Sequence, residues 1–459
     1  MHLIVLLAAA CGAEAPAGPP HVILVSLDTL RADALGAYGN ERGASPHIDG
    51  FLAEAALFRN AYASEPHTLP SHVSLFTSLP PLAHGVEARM RGGRSLPEHV
   101  PTLATMLSER GYDTAAFING GFLHPKFGLA RGFDHYDYFS DTKANEENLA
   151  ARFGRSAKQT NQDVFDWLDA ADAGPKLLFV HFFDVHSDWG ALPYDAPTDD
   201  LERFRGEARL APEEHAGAQP SQVLRNVNAG TVELESWELE DIRAMYAAGL
   251  AYTDRQFGRL IDGLKERGMY DDAVIVLVSD HGEEFLEHGR MLHTQLYGEC
   301  MRVPLGIKAP ASAGFSPTAR SEYVQMIDVL PTTLDLLGIE PPRTALGRSL
   351  APLLRDEPGF VNRPVFHNSS IDNTLAMIDD GWKLVLRPGD LGAELYDLAN
   401  DPAEQTDLAA SQPERLAAAI ERLLAWRDRL PRLSSAAMGE AVELDEDTLE
   451  ALEAIGYMK

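Results

Sequence analysis

The chain has 459 residues, 45% hydrophobic and 24% charged, with a formal net charge of −30 and a pI near 4.8. This is the profile of a soluble globular protein, long enough for one large domain and a smaller one. Its acidity argues against nucleic acid and against an anionic membrane surface as partners. The two cysteines, Cys11 and Cys300, leave no room for a disulfide framework or a zinc-ribbon spacing.

The chain opens with HLIVLLAAAC at residues 2–11, an apolar run too short to span a bilayer that ends in small residues and a cysteine. It resembles a bacterial lipoprotein signal. That resemblance implies export, with lipidated Cys11 as an anchor in the periplasm or at the outer membrane. No Lys or Arg precedes the run, and Ala8 stands where Leu is usual. Gly12–Pro20 is rich in Ala, Pro and Gly and reads as a tether, so residues 1–20 are set apart from the folded chain.

Three short apolar runs follow, each closed by a carboxylate. Val22–Leu27 ends at Asp28, Leu177–Phe183 at Asp184, and Ala273–Ser279 at Asp280. Such runs predict strands buried on both faces, as in a parallel sheet covered by helices. In open α/β sheets, ligands bind beyond the carboxyl ends of the strands. Helical patterns at 102–110, 164–168, 243–267 and 326–337 alternate with the strands, Pro331 predicting a kink or break in the last. Tyr112–Ile118 predicts a further strand. The fold class is therefore α/β, a doubly wound, mostly parallel sheet sandwiched by helices. Residues 188–237 are polar and too long for an ordinary connection, which predicts an insertion near the site entrance.

The stretch AYASEPHTLPSHVSLFTSLPPLAHGV, residues 61–86, centres on Thr68-Leu69-Pro70-Ser71-His72. Pro70 suits the first turn of a helix. Thr68 is then expected at a helix mouth, among free N–H groups and the positive end of the dipole. A hydroxyl there can act as an N-cap or meet an oxyanion. From about Val361 the texture changes to short strand-like pieces at 364–367, 375–378, 382–386 and 394–398. Asp379-Asp380-Gly381 gives a hairpin signal, and a helix is expected at 413–427. Residues 361–459 thus read as a small antiparallel α+β subdomain behind a catalytic domain at 21–360. Leu444–Tyr457 reads as a closing amphipathic helix.

The chemistry-bearing residues are Asp28, Thr68, Asp184, His186, Asp280, His281 and His293. Imidazole with carboxylate suits zinc or manganese better than calcium. His293 follows His281 by twelve residues, enough for a loop to return to the same cavity. Seven such groups can form two adjacent metal sites. His84 and His288 each precede a glycine and read as structural.

Together the pieces VILVSLDTLRADALGAYG, TLPSHVSLFTSLPPLAHGV, HFFDVHSDW, VSDHGEEFLEHG and LYDLANDPAEQTDLA resemble the sulfatase family of the alkaline phosphatase superfamily. Sulfatases carry Cys or Ser in a C/S-x-P-x-R motif, converted to formylglycine. Here that slot is Thr68 and the motif Arg is His72, so formylglycine is not available. The family's Asp-Asp pair is Asp28-Thr29, and its Lys falls at His293. This resembles the superfamily's phosphatases, phosphodiesterases and phosphoethanolamine transferases, which use Thr or Ser beside two metals.

By resemblance, Asp28, Thr68, Asp280 and His281 hold one divalent ion, and Asp184, His186 and His293 the other, with Asp188 able to replace His186. Zinc or manganese is expected, calcium or magnesium being the alternatives. His72 is a candidate for a substrate oxygen or the leaving group, or else a structural histidine. Arg31 is a candidate for an oxyanion contact or an internal ion pair. The expected function is hydrolysis of a phosphate, phosphodiester or phosphonate ester of a small molecule, glycan or lipid through Thr68. Three alternatives stay open: sulfate-ester hydrolysis at the same threonine, transfer of a phospho-headgroup, and a non-catalytic binding protein.

Overall fold

Strand β1, Val22–Leu27, is buried along all six residues. Its even members Val22 and Leu24 pack into one core and its odd members Ile23, Val25 and Leu27 into another. This is the two-faced burial expected of a central parallel strand. The computed structural model describes residues 18–89, 93–138, 155–187, 192–211, 221–431, 439–444, 446 and 449. Residues 1–17 with Cys11, residue 188 and most of the expected 444–457 helix lie outside it.

In chain order the other strands are β2 Ala56–Tyr62, β3 Asp113–Ile118, β4 His135–Tyr138, β5 Lys176–Phe182, β6 Val274–Val278, β7 Glu284–Phe285, β8 Met291–Leu292, β9 Arg302–Val303, β10 Leu305–Lys308 and β11 Ala319–Gln325. The small C-terminal strands are β12 Val365–Asn368, β13 Leu375–Asp379, β14 Trp382–Leu386 and β15 Ala393–Asp397. The large sheet runs β11-β2-β10-β6-β1-β5-β3-β4, with β9 beside β2. β1 pairs in parallel with both β5 and β6, while β10 runs antiparallel to its neighbours. The mostly parallel sheet and the separate antiparallel sheet β12-β13-β14-β15 are those expected.

Helix Thr68–Thr77 lies on the Val22/Leu24 face and is buried along its whole length. Helix Ser236–Glu266 covers the other face through Leu250, Phe257, Leu260 and Leu264. Pro331 does not kink its helix. A 3-10 turn at Met326–Asp328 passes into helix Val329–Leu336, which places the proline in the first turn, where its lost N–H costs nothing. Among its described residues, the insertion forms short helices Thr198–Phe204 and Gln222–Asn228. The Asp380-Gly381 turn joins β13 to β14, both residues with positive φ, as a tight hairpin requires. Among the described residues, no helix is long and apolar enough to cross a membrane.

Candidate active site

The adjacent ends of β1 and β6 deliver Asp28 and Asp280 to the carboxyl edge of the sheet. His281 follows at once. Ligand atoms of Asp28, Asp280 and His281 all lie within 4.8 Å of one another, and all three residues are fully buried. Asp28 Oδ1 and Asp280 Oδ2 have no hydrogen-bond partner. Burial first, and then the charge of Asp280, push the Asp28 carboxyl well above the usual carboxylate range. Asp280 is buried too, but His281, His72 and His181 hold it below that range. Two orphaned buried oxygens facing one imidazole nitrogen are a donor set that a divalent cation fits.

The backbone at this edge is built for the purpose. Thr29 has φ 56°, rare for a β-branched residue. Its N–H donates to Asp280 Oδ1 at 3.3 Å, and its carbonyl accepts from the Tyr246 hydroxyl at 2.9 Å. A side chain at Gly282 would bring a Cβ to 1.9 Å from the Glu299 carbonyl, so only glycine fits after His281.

Thr68 is the first residue of its helix, and the residue before it, His67, is the N-cap. The capping role for Thr68 is thereby excluded. Its hydroxyl lies 3.4 Å from His281 Nε2. His72, one turn on, brings Nδ1 to 3.8 Å from Asp280 Oδ2, but both its ring nitrogens are engaged within the protein. Its Nδ1 bonds the Thr68 carbonyl at 2.8 Å and its Nε2 the Ser26 hydroxyl at 2.9 Å. It is 0% exposed, and burial lowers its pKa to about 4. His72 is therefore a neutral strut between helix and sheet, not a substrate contact.

Asp184 also departs from expectation. Both its carboxylate oxygens accept the Ala157 N–H at 3.0 Å, at the start of helix Ala157–Ala170. A carboxylate so engaged serves the helix N-terminus. His186 and His293 do come together, with ring centroids 5.3 Å apart. The His293 ring is 4.4 Å from that of His281 and 6.1 Å from that of His67. Burial, and then His293, lower the His186 pKa well below normal. Among the described residues, only the Asp28–Asp280–His281 group closes tightly enough for a metal. Arg31 is held by Asp33 and Glu287, each at 2.7 Å, and by the Glu283 carbonyl at 3.0 Å. It makes the internal ion pair, not an oxyanion contact.

Three residues at the site are additional to those read from sequence. His181 Nε2 lies 3.1 Å from Asp28 Oδ2, its Nδ1 bonding the Asn119 carbonyl at 2.9 Å. The signal was a lone imidazole inside the apolar run of β5, in register with Ser26 of β1. Glu283, fully buried, bonds His293 Nδ1 at 3.1 Å, and burial pushes its pKa up to about 8. His67 completes a rim of imidazoles. His84 and His288 are bonded within the protein, His288 to Glu299 and to the Glu404 carbonyl.

Comparison with known proteins gives this site its context. The family profile "Sulfatase" matches residues 20–339, and that described as N-sulphoglucosamine sulphohydrolase, C-terminal, matches residues 286–427. A Delta 4,5-hexuronate-2-O-sulfatase of Bacteroides thetaiotaomicron is 27% identical over 427 residues, 87% of each chain. Among solved structures, a phosphonate monoester hydrolase of Agrobacterium radiobacter aligns with a TM-score of 0.69 at 23% identity, over 93% of this chain and all of that one. A putative sulfatase from Bacteroides thetaiotaomicron aligns at 0.73 and 23%, over 94% and 96%. The first profile spans well over half the chain and includes both strand-end aspartates, the helix of Thr68 and the hairpin of His293. This chain belongs to the sulfatase family, as a hydrolase of sulfuric or phosphoric esters.

Proposed function

We propose that this protein hydrolyses a phosphate, phosphodiester or phosphonate ester with Thr68 as nucleophile. The observation that carries the reading is the place of the Thr68 hydroxyl, at a helix mouth and 3.4 Å from Nε2 of His281, a member of the Asp28–Asp280–His281 group. The fold is shared with a phosphonate monoester hydrolase and with sulfatases, so it does not choose between the esters. The choice rests on the side chain. A formylglycine hydrate expels sulfate from its own carbon, whereas a plain threonine ester has no such exit. A phosphothreonine can instead be opened by water at phosphorus.

Asp28, Asp280 and His281 would hold a divalent cation, manganese or zinc by donor type, which when bound supplies Lewis-acid polarisation of the ester. Thr68 Oγ1 forms a bond to phosphorus as the ester P–O bond breaks in line. The N-terminus of helix Thr68–Thr77 faces the charge on the phosphoryl oxygens. Thr68 gives up its proton to the neutral imidazole flank of His186 and His293, which passes it to the departing oxygen. Water then adds to phosphorus and loses a proton to the same flank as the Thr68 O–P bond breaks, and that proton returns to the Thr68 oxygen. The second cation loses its carboxylate because Asp184 turns to Ala157. We assign one cation and leave His186 and His293 to the substrate.

Sulfate-ester hydrolysis is the second reading, favoured by the name of the hexuronate sulfatase relative. A small-molecule or glycan ester suits both readings, and the N-terminal run with Cys11 supports export. The test is a panel of aryl phosphate, phosphodiester, phosphonate and sulfate esters, run with defined cations. Turnover of the phosphorus esters is expected. Turnover of the sulfate alone would overturn the first reading in favour of the second.

A further inference from the structure

Glu283 presents a physical problem. It is 0% exposed, and its two oxygens are taken one each by the Tyr194 hydroxyl at 2.8 Å and His293 Nδ1 at 3.1 Å. The nearby Arg31 guanidinium reaches only its backbone carbonyl. An isolated buried carboxylate costs several kcal/mol, and an apolar side chain of the same size would fill the space without that cost. What a carboxylate adds is direction. When ionised, Glu283 accepts the Nδ1–H, and that bond fixes both the tautomer and the orientation of the ring and turns Nε2 away from Glu283. That ring stands beside His281, whose Nε2 lies 3.4 Å from the Thr68 hydroxyl.

Tyr194 is itself held. It is 1% exposed, packed edge-on against Tyr246 at 5.5 Å and tilted against Phe285 at 5.6 Å. Tyr246 clamps the Asp28–Thr29 turn, and Phe285 belongs to the hairpin that carries His293. Tyr194 comes from the insertion between β5 and helix Ser236–Glu266. We infer that Glu283 is a positioning residue that orients His293 toward the substrate, and that Tyr194 of the insertion orients Glu283. This rests on the reading of Thr68 and His293 as one reacting site, and it assigns to the insertion a role in the chemistry as well as at the entrance.

The experiment uses the full chain with its cation. In Glu283→Ala, kcat on an aryl phosphonate should fall about 10- to 100-fold, with KM nearly unchanged. Glu283→Gln, whose amide oxygen still accepts the Nδ1–H, should recover most of that loss. Tyr194→Phe should lose less, and the double variant Tyr194→Phe/Glu283→Ala should be no slower than Glu283→Ala alone. Equal losses in Ala and Gln variants, or additive losses in the double variant, overturn the inference. Independently of turnover, 15N spectra of histidine-labelled protein should show His293 as the Nδ1–H tautomer in the wild type and Glu283→Gln, but not in Glu283→Ala. His293→Asn supplies the assignment. Unchanged spectra across the three proteins overturn the inference even if every ester is turned over. The expected spectra with no turnover of any ester would instead sink the hydrolytic reading and leave the positioning intact.

Discussion

Asp28 and Asp280, on neighbouring strands, each turn one oxygen to the same nitrogen, His281 Nε2, at 3.9 and 3.4 Å. Without a cation between them, two buried carboxylates repel, and the burden falls on Asp28. Chelation of the wild type is therefore expected to lower Tm by about 5 °C or more. Asp28→Asn should lose stoichiometric cation, yet its Tm should stay at or above that of the chelated wild type. Elemental analysis and calorimetry read both outcomes. A variant less stable than the chelated wild type would mean that Asp28 serves packing alone.

Thr68→Ala should lower kcat by about a thousandfold or more while cation content stays near the wild-type value, because Asp28, Asp280 and His281 remain. Thr68→Ser keeps a hydroxyl at the helix mouth and should retain part of the rate. Steady-state kinetics with metal analysis decide the matter, and full activity in the alanine variant removes Thr68 from the mechanism.

His72 joins the Thr68 carbonyl to the Ser26 hydroxyl with both ring nitrogens. His72→Ala should cost about 2–4 kcal/mol in denaturant unfolding, from a buried cavity and two stranded polar groups. The residual activity should keep the wild-type pH profile. A shifted or missing limb in that profile would return His72 to the role of proton donor.

Away from the cation site, burial holds His84 at a pKa of about 3, against its hydrogen bond to the Pro70 carbonyl. The unfolded chain takes up this proton near its ordinary pKa of about 6.5, so stability is full above that value and is lost as pH falls from there toward 3. In His84→Gln, the fall of Tm between neutral pH and pH ~4 should be shallower. Parallel Tm curves for variant and wild type would show that His84 contributes nothing to acid unfolding.

The strands and the two aspartates were legible because a doubly buried strand writes itself as an unbroken apolar run, and its end is where polarity returns. Asp28 and Asp280 obey that rule and enter the cavity. Asp184 obeys the same rule in sequence but meets the start of helix Ala157–Ala170, a neighbour that its own surroundings in the chain do not disclose. His181 was hidden for the opposite reason. It lies inside the run, where the pattern predicts packing, and only its pairing with Ser26 across the sheet shows which face it serves. The His72 strut could not be read from spacing, since a histidine one turn into a helix looks the same whether it faces solvent or a strand.

The trio of Tyr194, Tyr246 and Phe285 makes the entrance segment and the reacting groups one mechanical piece. Anyone grafting a foreign loop here to change which esters are admitted would pull a phenol from beneath the carboxylate that steers His293. A transplant that places a hydroxyl donor at the same point should retarget the protein. One that does not should slow it, whatever fits through the new opening.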